Sequence, residues 1–476
     1  MARVQYNIVG GNYKDINPDV DPQRSVNFYP VIDEQGGNVL SLYPTPGLKA
    51  VIDTQHPAKV RRMISSGGYL WAVVGKKVFR IDSSYHSTEV SGTLTSGIGQ
   101  VFIAANSNGQ ICVVDSGDNT GYTIDNMSLT KISDADFVSV TSLTYQDGYG
   151  IVTEKSTGRF WVSAINDFTS WSALDYGSAE ALPDDLLVAF SSHRELWCFG
   201  ERTIEPFANT GNADFPFERI GSGVSEVGIG AAASVVKLDN SLYWLDQLGN
   251  IRVAQGYIPM IVSSPQVSYS ISTYGTFSDA IGMGFTENGH AFYALTFPSA
   301  KSGHGATWCY DIATRFWHQR SSYPFGTEGR WRPECHELFN GKNLFGDWDN
   351  GKIYELDHTL YKDNDEAIHA LRVGPEFNAN GRRFVIHSFE LLIRSGVGII
   401  TGQGSDPQIM FRRSKDGGHS WSNERWKSLG AIGEYGMRCK WNQIGSCRSF
   451  IPEIKITDPV NRVIKAGYID LEIGKN

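Results

Sequence analysis

No run of about 18 consecutive apolar residues occurs in the 476 residues, so no helical membrane span is expected. The first ten residues hold one basic side chain and no apolar core, so no secretory signal is expected either. Cysteine is scarce. The six residues Cys112, Cys198, Cys309, Cys335, Cys439 and Cys447 include no C-x-x-C pair, which excludes a disulfide scaffold and leaves reduced strand residues of a protein made in a cytosol. Helical periodicity is almost absent. No G-x-S-x-G elbow appears, and no spacing singles out an acid/base pair of carboxylates. Gly221 to Gly228 resembles a dinucleotide loop only until Glu226, which stands where the third glycine belongs. Asp347 to Lys352 has Lys352 where a calcium loop needs its glycine, and reads better as a type I′ turn. His304, Cys309, His318, Cys335 and His336 fit no zinc spacing. No catalytic, cofactor or metal residue is assigned.

What the chain does contain is glycine, 51 residues of it, and a recurring hairpin. Its clearest copy runs from Asn240 to Arg252: Leu242 and Trp244 alternate at period two, Gly249-Asn250 supplies a turn, and Ile251 starts the return strand. Taking Leu70, Ile111, Gly150, Leu196, Leu242, Phe292 and Leu344 as equivalent positions, the steps are 41, 39, 46, 46, 50 and 52 residues. Strand-only units at this period are the mark of propeller blades, each too small to bury both faces alone. A pair of β-sandwiches also gives short regular strands, but does not need seven similar units. The fold expected is all-β: a propeller of about seven blades plus a β-sandwich.

Three regions follow. Residues 1–60 are proline-punctuated and read as an arm of edge strands and turns packing with the terminal domain. Residues 61–365 hold the blades, with inserts at 208–230 and 298–333 expected as protruding loops and Lys362 to Glu366 as a charged linker. Residues 370–476 have longer strands and read as a sandwich-like platform. Charge divides at this boundary. Residues 371–476 carry 16 Lys+Arg against 10 Asp+Glu, a balance of +6, and the rest of the chain carries −15. An acidic ring does not hold nucleic acid, whereas the basic part can meet an acidic partner. Arg382, Arg383, Arg412, Arg413 and Lys415 are the candidate docking residues.

Ser414 to Trp421 matches the Asp-box turn: Asp416 accepts backbone N–H groups, Gly417 and Gly418 adopt positive φ, and Trp421 packs beneath. Every position is explained by the turn, so its role is structural. Together with aromatic stretches such as Arg330-Trp-Arg332, the box leaves a glycan-binding or glycan-cleaving propeller as the alternative function.

The stretch Phe199-Gly-Glu-Arg-Thr-Ile-Glu-Pro-Phe-Ala-Asn-Thr-Gly211 resembles the FG-x-x-T-I-E-x-F-x-x-T-G block of the tail hub or nozzle proteins of short-tailed bacteriophages, the packaged DNA stabilization proteins. Its matching positions are Phe199, Gly200, Thr203, Ile204, Glu205, Phe207, Thr210 and Gly211. The flanks Ala181 to Leu186 and Gly228 to Ala232, and the tracts Val26 to Pro30 and Gly289 to Pro298, are similar as well. The resemblance implies a virion tail protein, assembled in the host cytoplasm into a hexameric ring below portal and adaptor. Such a ring closes the DNA exit, lets double-stranded DNA pass without sequence preference, and anchors tailspikes, fibres or a needle. It implies no catalytic residue and no cofactor.

Overall fold

The computed structural model describes residues 2–16, 21–32, 39–323 and 326–474, so Met1, parts of the expected arm and the last two residues of the expected sandwich lie outside it. Six consecutive four-stranded antiparallel units span Val60–Glu89, Val101–Lys131, Val140–Ser178, Leu186–Arg219, Val236–Ile261 and Ile281–Arg320. A seventh unit takes three strands from Pro333–Asp357 and its fourth from the other end of the chain. That fourth strand is Gly47–Asp53, which pairs antiparallel with Lys352–Asp357. The ring is therefore a seven-bladed β-propeller closed by a strand from residues assigned above to the arm.

One apolar cluster lies at each of the seven blade interfaces, and strand alternation builds them. In the first blade Leu70, Ala72 and Val74 pack on the seventh, while Val73 and the edge of Trp71 pack on the second. In the fourth, Leu196 and Cys198 face the third blade, and Trp197 and Phe199 face the fifth. Successive side chains point to opposite faces of a sheet, and here both faces are buried, so the strands read as unbroken runs such as Tyr69-Leu-Trp-Ala-Val-Val74. Leu48 and Ile52 of the closing strand belong to the clusters on either side of the seventh blade. Polar locks add to the apolar seal. Arg61, 3% exposed, reaches both oxygens of Asp115 in the second blade and the carbonyls of Gly75, Ser96 and Ile98.

The sandwich packs two sheets around Phe389, Phe411, Trp441, Phe450 and Ile454. One sheet has the order Phe28–Ile32, Val39–Pro44, Ile464–Ile473, Phe384–Ile393, Cys439–Cys447, with Ala2–Tyr6 also paired to Ile464–Ile473. The other grows out of the sixth blade. Its outer strand Trp317–Arg320 pairs with Arg24–Val26, which pairs with Ala370–Val373 and so leads to Ser449–Ile456, Gln408–Ser414 and Arg425–Ser428. Arg24–Val26 is thus interior to a sheet, where the arm was expected to supply edges. Arg372 ties the arm down: its Nε donates to Ile8 O at 2.7 Å, Nη1 to Gly11 O at 2.6 Å and Nη2 to Gln23 Oε1 at 2.6 Å, and burial pulls its pKa down to about 10.

Three local expectations change. The expected loop at 298–333 contains two blade strands, Ala306–Asp311 and Trp317–Arg320, because the interruption by Ser, Gly and His is confined to their connections. In 208–230, Phe217 is buried against the third blade and Gly228 lies so close to the Glu201 backbone that a Cβ would meet its carbonyl carbon at 2.2 Å. The charged stretch Lys362 to Glu366 is no free linker: it forms two short paired strands, and Asp363 is buried with its carboxylate accepting from Ser322 Oγ at 2.8 Å.

Candidate functional sites

The 199–211 block is a turn and strand of the fourth blade, and one carboxylate explains its first half. Asp184 Oδ2 accepts from Arg202 N at 2.7 Å, from Thr203 N at 2.8 Å and from Thr203 Oγ1 at 3.0 Å. A Cβ at Gly200 would come within 2.4 Å of the same oxygen, so this position needs glycine. Phe199 and Ile204 are buried in the interface with the fifth blade. Glu205 is buried where Ala181 N–H reaches Oε1 at 2.8 Å and Arg219 Nε reaches Oε2 at 2.6 Å. Burial raises its pKa and those two partners oppose the rise. Thr210 N donates to Pro216 O at 2.8 Å, and Gly211 closes the turn at φ 69°. Ile229 N and Gly230 N then bond Gly200 O and Leu245 O, threading the chain between the fourth and fifth blades. The block and both its flanks are one packing unit. Asp184 lies in the Ala181 to Leu186 flank, but this role leaves no local signal in the sequence, because the amides it holds are 18 and 19 residues away.

The Asp-box turn sits in the sandwich, after the strand Gln408–Ser414. Asp416 accepts from Ser414 Oγ at 2.6 Å, from Ser420 N at 2.9 Å and from the Ser420 hydroxyl, and Ser414 Oγ in turn accepts from Gly418 N at 2.9 Å. Hydroxyls thus share the work that was expected of backbone amides alone. These bonds, the Ser414 hydroxyl foremost, hold the Asp416 carboxyl well below the usual range. Gly417 and Gly418 lie at φ 69° and 96°, and Trp421 packs with Val26, Leu371, Val373 and Ile451 where sandwich and blade sheet join.

The five basic candidates do not form one set. Arg382, Arg383 and Lys415 are exposed, whereas Arg412 and Arg413 are half-buried. Arg412 is engaged within its own sheet by Glu453, with Nε at 2.5 Å and Nη2 at 2.9 Å from the carboxylate. Burial and the neighbouring charge of Arg425 lower the pKa of Arg413. The register brings the other three to one end of the sandwich. Phe384 pairs with Cys447 and Asn378 with Ser449, while Lys415 Nζ donates to Ser446 O at 3.2 Å. Exposed Arg448 joins them there, a residue that only strand pairing could have added. This end lies farthest along the strands from the linker, since Ala370 pairs with Ile456 and Phe377 with Phe450.

Other sequence candidates are absorbed by packing. Arg330, Trp331 and Arg332 are buried, Arg330 on Glu334 and Arg332 on Asp347 at 2.7 Å each, so this is no exposed aromatic loop. Asp347 also accepts from Tyr354 OH at 2.6 Å and from Asp349 N at 2.7 Å, and this carboxylate shapes the 347–352 turn, which has no left-handed residue and so is not type I′. Among the described residues no three His, Cys, Asp or Glu side chains come together as a metal site, and no helix is long and apolar enough to cross a membrane. A cavity of about 250 Å³ at the propeller axis is lined by Arg62, Phe102, Leu143, Thr144, Val188 and Phe190 among others, far too small for duplex DNA.

Compared with known proteins, residues 4–361 match the family model described as the β-propeller of bacteriophage P22 Gp10, and residues 369–472 match the model described as its β-sandwich. No curated protein sequence matches. Among solved structures, the virginiamycin B lyase of Staphylococcus aureus is 14% identical over 65% of this chain and 98% of its own, with a TM-score of 0.43. YCF48 from Cyanidioschyzon merolae is 11% identical over 65% and 98%, with a TM-score of 0.41. BamB from Moraxella catarrhalis is 10% identical over 75% and 97%, with a TM-score of 0.38.

Proposed function

We propose, because this chain belongs to the bacteriophage P22 Gp10 family, that it is a structural subunit of a phage tail nozzle that stabilises packaged DNA. The supporting observation is the order and extent of the two matches, propeller then sandwich, over nearly the whole chain. In this reading six copies form a ring beneath the portal and its adaptor. The ring holds the genome in, lets it slide out at ejection, and offers its outer surfaces to tailspike, fibre or needle proteins. DNA passes between the copies, not along a propeller axis, whose cavity is too small.

The acidic propeller and basic sandwich fit a conduit that must not grip its cargo. Lysine and arginine on a DNA-facing wall bind duplex by releasing its counterions, and the −15 balance of residues 1–370 avoids that. The basic end at Arg382, Arg383, Lys415 and Arg448 then serves protein docking, to the adaptor or to the neighbouring copy. The chain is not an enzyme in this reading: its Asp-box carboxylate is consumed by its own turn. The experiment is to add purified chain to particles that carry portal and adaptor but lack their nozzle. Six-fold density below the adaptor, with DNA retained, supports the reading; particles that neither bind the chain nor keep their DNA refute it.

A further inference from the structure

The seal between the first and second blades stops short at one end. The cross-strand pair Trp71 and Arg80 of the first blade there faces the pair Ile111 and Ile124 of the second. Between them opens a cleft of about 640 Å³, also walled by the turn at Asp125-Asn126 and by Asn108 and Asn166, which is a usual size for a small-ligand site.

Asn108, Asn166 and Asp167 are engaged by Asn166 O, Tyr145 OH and Thr169, whereas the Arg80, Asp125 and Asn126 side chains are positioned without a hydrogen bond among the described residues. Trp71 Nε1 donates to Ser66 O at 3.3 Å, fixing a ring that is only half-buried. The Arg80 guanidinium lies 4.5 Å from the centre of the Tyr69 ring and has no carboxylate partner among the described residues. Asp125 and Asn126 are exposed at a left-handed turn, φ 47° at Asn126, and neither side chain is hydrogen-bonded among the described residues. A cleft of about 690 Å³ beside Trp197 provides the contrast. There the polar groups are taken up by each other: Tyr257 OH donates to Glu195 at 2.6 Å, and the His193 ring bonds Asn240 at 2.7 Å.

A fixed indole beside a free guanidinium, carboxylate and amide matches one ligand class. The ring takes the C–H face of a pyranose, and the planar polar groups each donate to or accept from adjacent hydroxyls. The single Arg80 guanidinium is offset by the Asp125 and Asp167 carboxylates at the same rim, so the cleft favours neither sign of charge and the ligand is uncharged. We propose that this cleft binds a neutral saccharide of two or three residues. The site is independent of the tail-assembly reading and needs no oligomer.

The test is saturation-transfer NMR on the full chain with neutral hexose and 6-deoxyhexose trisaccharides, with a uronic-acid trisaccharide alongside. At least one neutral sugar binds with a Kd on the order of 1 mM. Arg80→Ala and Asp125→Ala, both at solvent-accessible positions, weaken it at least tenfold with unchanged melting temperatures, and Tyr257→Phe in the other cleft leaves it unchanged. Binding of no neutral sugar up to about 10 mM, preference for the uronic acid, or binding indifferent to both substitutions overturns the proposal.

Discussion

Arg412 clasps Glu453 across neighbouring strands, each carboxylate oxygen taken by a different nitrogen at 2.5 and 2.9 Å, and its guanidinium lies 5.0 Å from the centre of the Trp421 ring. A bidentate charged pair stacked on an aromatic ring is committed to the fold. Arg412→Ala is expected to lower stability by roughly 1–2 kcal/mol, read as a shifted denaturant midpoint. Arg382→Glu with Arg383→Glu is expected to leave that midpoint in place and to weaken docking on adaptor-bearing particles, increasingly so as salt is lowered. If the double reversal docks like the parent, and the parent retards duplex DNA in a gel at physiological salt, the exposed arginines serve DNA instead.

Asp416→Ala is expected to cost roughly 1–2 kcal/mol, because the Ser414 and Ser420 hydroxyls and the Ser420 amide lose their shared acceptor. Assembly should be unaffected at temperatures where the variant is folded. A variant as stable as the parent that fails to assemble would give the turn a docking role.

Ring closure depends on Ile52, 3% exposed between Val60, Leu70 and Ile353. Ile52→Ala is expected to cost roughly 2–5 kcal/mol through the cavity it leaves. Deleting residues 1–53 should do more, exposing the edge of Lys352–Asp357 and yielding aggregate in size-exclusion chromatography.

Burial raises the Asp363 carboxyl to about 7, with Ser322, Arg332 and Arg320 opposing the rise. The folded state therefore holds a proton that the unfolded chain releases near pH 4. Stability linked to this group is intact below about pH 4, declines as pH climbs toward 7, and is level above that. Asp363→Asn keeps an acceptor for Ser322 and removes the ionisation, so it should match the parent at pH 4 and exceed it at pH 8 by at most about 4 kcal/mol. Equal stability of the two proteins at pH 8 would show that Asp363 is ionised without cost.

Purified chain is expected to release no product from labelled bacterial surface polysaccharide. Turnover abolished by a single carboxylate substitution would return the glycan-cleaving alternative.

The blades were legible because both faces of each strand are buried against like neighbours, which stamps runs such as Glu195-Leu-Trp-Cys-Phe-Gly200 at a steady period. The resemblance at 199–211 was legible for a related reason: Gly200, Glu205 and Gly211 are fixed by close backbone approach, a buried ion pair and a left-handed turn. What stayed hidden was pairing over long separations. Nothing in Gly47–Asp53 announces a partner some 300 residues away, and nothing in Arg24-Ser-Val26 announces a place in the interior of a sheet. The dependence of the Asp416 turn on two serine hydroxyls rests on side-chain directions that spacing does not supply.

The sheet running from Ile281–Glu287 through Arg24–Val26 to Arg425–Ser428 gives the molecule a continuous path for mechanical load. A pull on the sandwich passes into the sixth blade through backbone hydrogen bonds, sharing tension with the chain around Ile368. The closing strand Gly47–Asp53 carries the same arm into the seventh blade, so two adjacent blades share the strain. Within this sheet the link between blade and sandwich is one parallel pair, Val26 with Gln319, with Asn27 N donating to Gln319 O at 2.8 Å, so that narrow bridge, backed by the closing strand, sets the force at which the two domains part.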